Sequence, residues 1–285
     1  MSSSSSVAAS LCEARDCALV PPRYAAHRAA ATGRILLAAI LLFFVSGASA
    51  VEVLEEIVEQ KYVMEADATL SISNTDGSIR IYADDKQEIS ILAIKKAYTS
   101  ERLKGIVVDV KATPTSVAIG TTFPPRKNAL SDRSGTVDYI VIVPQTIKIT
   151  RLDLVNGEVL VEGLRGGSAS AHLVNGWLGA HNCFGDLDLT VETGRLDVAH
   201  DWWESHKFTV KASSTRGNVR AILPSDASVI LNASAPSGRI ANGFGTKETG
   251  ANEVIHSINT VIGLDAGAII ELKADRGNIR INKLY

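Results

Sequence analysis

LDLVNGEVLVEGLRGGSASAHLVNGWLGAHNCFGDLDLTVETGRLDV, residues 152–198, carries one short pattern three times, as VNGEVLV, VNGWLGA and ETGRLDV. Each copy is a polar residue, a glycine and then alternating apolar positions. Searching outward for self-similarity finds TDGSIRI ending at Ile81, TRGNVRA ending at Ala221, PSGRIAN ending at Asn242 and DRGNIRI ending at Ile281. The seven glycines are Gly77, Gly157, Gly176, Gly194, Gly217, Gly238 and Gly277, with successive gaps of 80, 19, 18, 23, 21 and 39. The short gaps set a period of about 20 residues, and the two long ones mark interruptions.

The positions around each glycine keep their character from copy to copy. Two places after it stand Ile79, Val159, Leu178, Leu196, Val219, Ile240 and Ile279, all apolar. Four places after it only Asn242 breaks the apolar series. Five places before it stand Ile72, Leu152, Ala171, Leu189, Ala212, Ala233 and Leu272, with largely polar residues between. This is the period of two of a strand with one buried face, on both sides of the glycine.

A glycine after Asp76, Asn156, Asn175 or Thr193 reads as a corner needing a positive φ, which glycine adopts without a Cβ clash. Asn-Gly between alternating strands is also a strong hairpin signal, which would give an antiparallel β-sandwich. The alternative is a single-stranded β-helix-like solenoid, each copy one rung of about 20 residues with its apolar positions stacked into ladders. Recurrence of the same positions favours the solenoid, because stacking requires it and a sandwich does not. A buried ladder residue would then contribute roughly 1.5–3 kcal/mol, and stability would come from neighbouring rungs. The stretch 97–138 fits the repeat least well, and TTFPPRKNALSDRSG, residues 121–135, reads as an exposed excursion rich in turn formers. Residues 51–67 read as a lead-in that caps the first rung, and 68–285 as the solenoid domain.

Ahead of the repeat, ILLAAILLFFV at residues 35–45 follows Arg34 and precedes Ala48-Ser49-Ala50. Eleven apolar residues are short for a membrane span of about 20 and right for a signal-peptide core, and small-x-small fits signal peptidase. Residues 1–50 therefore read as a signal peptide cleaved near Ala50, which sends the remainder to the periplasm or outside the cell. Cys12 and Cys17 leave with the leader, so Cys183 remains as a single buried thiol. The leader holds Arg15, Arg23, Arg28 and Arg34 against Glu13 and Asp16, so its removal takes the formal charge from -2 to -4.

Over all 285 residues the chain is 46% hydrophobic and 21% charged, which excludes wholesale disorder and a multi-span membrane protein. Near-neutral charge leaves no basic footprint for nucleic acid. Three cysteines are too few for a disulfide scaffold or a cysteine-rich zinc site.

VDYIVIVPQTIKITRLDLVNGEVLVEGLRG, the phrase ILPSDAS and the terminal DRGNIRI together resemble the bacterial cell-envelope family of candidate adhesins of unknown function, also called toastrack domains. The resemblance covers roughly residues 68–283. It implies a right-handed β-helix-like solenoid, exported or facing the envelope, without an established catalytic site.

Chemistry was sought directly. His172, His181, His200 and His206 match no zinc spacing and read as loop residues. Asp186, Asp188 and Asp197 form the best acidic cluster; Asp186 and Asp188 share a strand face, but no lysine or arginine base is apparent beside them, so catalysis is not expected. No glycine opens a phosphate-binding helix, and no cofactor is implied. Trp202 and Trp203, adjacent in a loop, are the candidate ligand contacts, forming either a cover over the end of a rung or an exposed shelf for sugar or peptide. Trp177, directly after a corner glycine, reads as an edge cover. The expectation is a non-enzymatic, adhesin-like binding or scaffolding protein of the cell envelope with an unidentified partner. Its rival is a glycan-active lyase or hydrolase on the same fold.

Overall fold

The strands form because the alternating residues have a common face to bury, and in the computed structural model that face is nearly dry. It describes residues 52–125, 135–245, 255–264 and 266–285. The proposed leader and most of the 121–135 excursion lie outside those residues. In chain order the elements are β1 (Leu54–Val63), β2 (Thr69–Asp84), β3 (Glu88–Ala97), the short helix α1 (Ser100–Gly105), β4 (Val107–Thr113) and β5 (Ser116–Thr122). Then come β6 (Thr136–Pro144), β7 (Lys148–Glu162), β8 (Arg165–His181), β9 (Phe184–Ala199) and β10 (Thr209–Pro224). The last are β11 (Val229–Ser234), β12 (Ile240–Asn242), β13 (Ser257–Ile262), β14 (Ala268–Arg276) and β15 (Ile279–Leu284).

The fold is all-β, one large open mixed sheet whose main path runs β1-β3-β6-β2-β7-β8-β9-β10-β14-β11-β13. Its centre is parallel: β2, β7, β8, β9 and β10 pair side by side with their glycines in register, Gly77 to Gly157 to Gly176 to Gly194 to Gly217. The antiparallel sandwich suggested by the Asn-Gly dipeptides is therefore not the arrangement of the repeat. These dipeptides do not close hairpins. Each sits inside a long strand.

The connections force a bend at the glycine. β7 and β8 pair in parallel from Lys148/Ser168 to Glu162/His181, yet only two residues separate them. Straight parallel neighbours need a crossover of about a dozen residues or more, whereas two residues reach only about 10 Å. β7 must therefore fold back so that its end lies near its start, and β8, two residues from β9, must do the same. Gly77, Gly157, Gly176, Gly194 and Gly217 have φ between +131° and +153°, a region that glycine alone enters freely. Space is short as well. A Cβ on each of these glycines except Gly77 would overlap the carbonyl oxygen of the preceding glycine in the column, and on Gly77 that of Val137. Gly277 and Gly238 do not share the positive φ, but a Cβ on either would meet the same obstruction, from Gly217 and Gly277 respectively.

A polar ladder runs beside this column. Asn175 Nδ2 donates to Asn156 Oδ1 (3.1 Å), and Asn156 Nδ2 donates to Asp76 Oδ1 (2.8 Å). The residues before the glycines thus bond across copies 19 and 80 residues apart in the chain.

Ile79, Val159, Leu178, Leu196, Val219, Ile279 and Ile240 are all buried and form one continuous ladder in that spatial order. The order departs from the chain at its end. The copy holding Gly277 inserts between those holding Gly217 and Gly238, because β14 pairs with both β10 and β11. The gap of 39 is the chain travelling out to β13 and back. The gap of 80 holds α1 and four strands, of which β3 and β6 continue the sheet beyond β2 with β1 at its end. Helix α1, capped by the Thr99 hydroxyl on the Arg102 N–H (3.2 Å), was not legible as a helix.

Candidate functional site

The parallel register turns the outward positions of successive strands into columns, so residues about 20 apart in sequence become neighbours. Before the glycine, Ser170, Asp188, Lys211, Glu271, Asn232 and Asn259 stand side by side. They line two adjoining open grooves of about 510 and 460 Å³ that share Asp188 and Lys211. Asp186 and Asp188 do lie together here. Lys211, absent from the local sequence around them, is brought beside Asp188 by the pairing of β10 with β9. Asp186 is tied down, its Oδ1 accepting from the Thr209 backbone N–H (2.8 Å). Asp197, expected near them, lies in the other half of β9, after the glycine.

That other half holds the most constrained polar arrangement. Asp197 is 5% exposed, and its Oδ2 takes Trp177 Nε1–H (2.9 Å), Arg195 Nε (2.9 Å) and an Arg220 guanidinium NH (3.2 Å). Trp177 lies flat over Gly179, where a Cβ would strike its ring, and the Arg195 guanidinium sits 5.8 Å from the ring centroid. A glycine at 179 is what lets the indole lie down. Asp197 Oδ1 and Arg220 Nε are buried without a partner. Next to them a cleft of about 320 Å³ is lined by Arg195, Asn218, Arg220, Asn278 and Arg280. Sequence reading placed Asp197 in an acidic cluster and did not pick out these arginines. The available signal was the arginine or asparagine one or three places after several of the corner glycines.

The tryptophan pair divides its roles. Trp203 is packed against Phe184, His200 and Phe208 with ring centroids 5.6–6.4 Å apart. Trp202 is 44% exposed and donates from Nε1 to Glu204 Oε1 (3.1 Å), which also pairs with Arg165 (2.8 Å).

His200, on the same cluster, is buried, with Nε2 2.9 Å from the Cys183 carbonyl oxygen. A carbonyl only accepts, so the proton is on Nε2. Nδ1 has no partner. Burial, chiefly, holds its pKa below the ordinary histidine value. The unfolded chain then binds a proton that the folded chain refuses, and stability falls as pH drops from about 6.5 towards the lower folded value. We expect the unfolding free energy to decline between pH 7.5 and 5 by less in His200→Leu than in the parent. Equal declines would show that His200 does not titrate in this way. Of the other histidines read as loop residues, His172 and His181 lie in β8 instead, because the alternation continues through them; His172 faces Glu192 (3.3 Å), His181 faces Glu162 (3.3 Å) and Asp201 (2.8 Å), and His206 faces Glu204 (3.8 Å). Among the described residues no three candidate ligands converge on a metal site. Cys183 is buried, and desolvation pushes its thiol up to about 11, which leaves it a poor nucleophile.

No family model and no curated protein matches the sequence. Solved structures do match. A candidate cell adhesion protein from Clostridium sporogenes superposes with a TM-score of 0.51 at 14% identity, over 80% of this chain and all of that one. The chain has the fold of that candidate adhesion protein. Its resemblance to candidate adhesins, read from the repeat motifs, is thus met at the level of fold. A candidate adhesin from Bacteroides fragilis aligns over 80% of this chain and 97% of its own at 8% identity, with a TM-score of 0.23. A candidate lipid-binding protein from Parabacteroides distasonis aligns over 81% and 97% at 11% identity, with a TM-score of 0.24.

Proposed function

We propose that the protein is an exported, non-enzymatic right-handed β-solenoid that binds or scaffolds a component of the bacterial cell envelope. The observation that carries this reading is the pair of outward faces, built as long in-register columns and opened by two grooves of mixed charge before the glycines and one lined by arginine and asparagine after them. Such faces suit a partner laid across several strands. Parallel copies joined by as few as two residues support the solenoid, and residues 1–50, read as a cleaved signal peptide, support export. Trp202 is the proposed aromatic contact, with Trp203 holding its loop in place.

The test is capture from envelope extract on immobilised protein, with Trp202→Ala beside the parent. The parent is expected to retain defined envelope material and Trp202→Ala to retain less. Retention no greater than that of an unrelated acidic protein would overturn the reading. Equal retention by both forms would remove Trp202 from it.

One observation favours a glycan-active enzyme, the placement of Lys211 beside Asp188. Depolymerisation of an acidic polysaccharide that is lost in Asp188→Asn would establish that second reading in place of the first.

A further inference from the structure

The cleft after the glycine corners presents donors almost exclusively. Arg280 projects from an exposed position of β15 and has no ion pair among the described residues. Arg220 Nε is buried without an acceptor. Asn218 and Asn278 turn their carbonyl oxygens along the stack, where Asn218 Oδ1 accepts from the Asn278 backbone N–H (2.9 Å) and Asn278 Oδ1 from that of Arg239 (3.0 Å). Each amide oxygen thus has one lone pair engaged within the stack, and each amide nitrogen keeps N–H groups to offer a ligand. Arg195 and Arg220 both pair with Asp197, and Arg280 lines the same cleft beside Arg220, so three guanidinium groups are set against one carboxylate and the local charge is positive.

Planar guanidinium forks match an oxyanion in geometry as well as charge. A bare anion, however, uses only the charge of the cleft. It makes no use of the indole of Trp177, laid flat beside the arginines. A sugar carrying a carboxylate supplies the anion, hydroxyl donors and an apolar ring face together. At about 320 Å³ the cleft lies at the small end of ligand sites, which run from about 300 to 1,000 Å³. We propose that this cleft binds the acidic sugar units of an envelope polysaccharide. The carboxylate would lie on Arg220 and Arg280, with the sugar ring beside the Trp177 indole. The inference rests on the reading of the protein as a binding module and names the ligand class of one of its faces.

The experiment is calorimetric titration of the purified protein with a glucuronic-acid oligosaccharide, a neutral glucose oligosaccharide of the same length, and sodium sulfate. Arg280→Ala is the principal variant, because Arg280 holds no partner whose loss would disturb the fold. Lys61→Ala, at an exposed position of β1 at the end of the sheet, is the control. Binding of the acidic oligosaccharide is expected, with at least a tenfold loss in Arg280→Ala, the range for a hydrogen bond to a charged group, and no loss in Lys61→Ala. Affinity should fall as salt is raised. Equal binding of the neutral sugar, tight binding of sulfate without the acidic sugar, or an unchanged affinity in Arg280→Ala would each overturn the proposal. If no acidic sugar binds while capture from envelope extract persists, this inference fails and the binding-module reading stands.

Discussion

Gly157→Val is expected to cost more than about 4 kcal/mol, beyond the range of ordinary substitutions, while Glu158→Val beside it changes stability by no more than about 0.5 kcal/mol. Two effects combine at Gly157. Its φ of +139° is one that a β-branched residue does not adopt, and its Cβ would overlap the Gly77 carbonyl oxygen while pressing on Leu154 Cδ2 at 3.3 Å. Relief by backbone movement is blocked, because Gly157 is paired on one side to Gly77 and on the other to Gly176. Shifting it would break two parallel ladders at their bend. Glu158 is exposed, and its pairing with Arg80 at 3.5 Å joins two half-exposed side chains, an interaction worth little in water. For a domain of this size 1 kcal/mol moves Tm by about 2–4 °C. Thermal unfolding should therefore separate the two variants by roughly 10 °C or more, or find Gly157→Val unfolded. Coincident midpoints would refute the glycine column as the device that lets the strands stack.

The second large effect is expected at Phe184. Phe184→Ala should lose about 3–5 kcal/mol, as for other buried aromatic truncations, and should release the loop between β9 and β10. Phe184 is 2% exposed, and its ring meets His200 at 5.0 Å, Phe208 at 6.0 Å, Trp202 at 6.1 Å and Trp203 at 6.4 Å. Removing the central ring leaves the other four without their common contact, and the strand ends around residues 182–184 and 208 lose their cover. Near-ultraviolet dichroism and tryptophan fluorescence read the loss directly, since Trp203 depends on this cluster. Trp202→Ala, which removes a half-exposed ring, should cost about 1 kcal/mol or less. Were Phe184→Ala no worse than Trp202→Ala, the cluster would not be holding the loop.

Much of the fold was legible because the period of two and the glycine at fixed offsets are local. Ile79, Val159 and Leu178 could be aligned by eye, and each is buried where the alternation puts it. The choice between hairpin and bend at Asn156-Gly157 was not local. It depends on which strand supplies the neighbouring carbonyl, and that is Gly77, 80 residues away in the sequence. The insertion of the Gly277 copy between those of Gly217 and Gly238 was hidden for a related reason. All copies share nearly the same apolar pattern, so any stacking order satisfies it.

The candidate sites divide in the same way. Trp202 and Trp203 announced themselves as adjacent aromatics, but only packing distinguishes the exposed ring from the buried one. Lys211 beside Asp188, and Arg220 between Asp197 and Arg280, come from different copies. No window of 20 residues contains either group.

The amino-acid sequence by itself determined that this is a β protein of repeated strands, because burying one face of a strand requires alternation and crowding the backbone at a corner requires glycine. It also determined which residues of the apolar ladders face inward. Tertiary structure decided which copies are neighbours and hence which outward side chains share a surface. Parallel pairing converts a separation of about 20 residues into one strand spacing of roughly 4.8 Å. Charge and hydrogen-bonding partners are therefore set by the stack and not by the neighbouring letters.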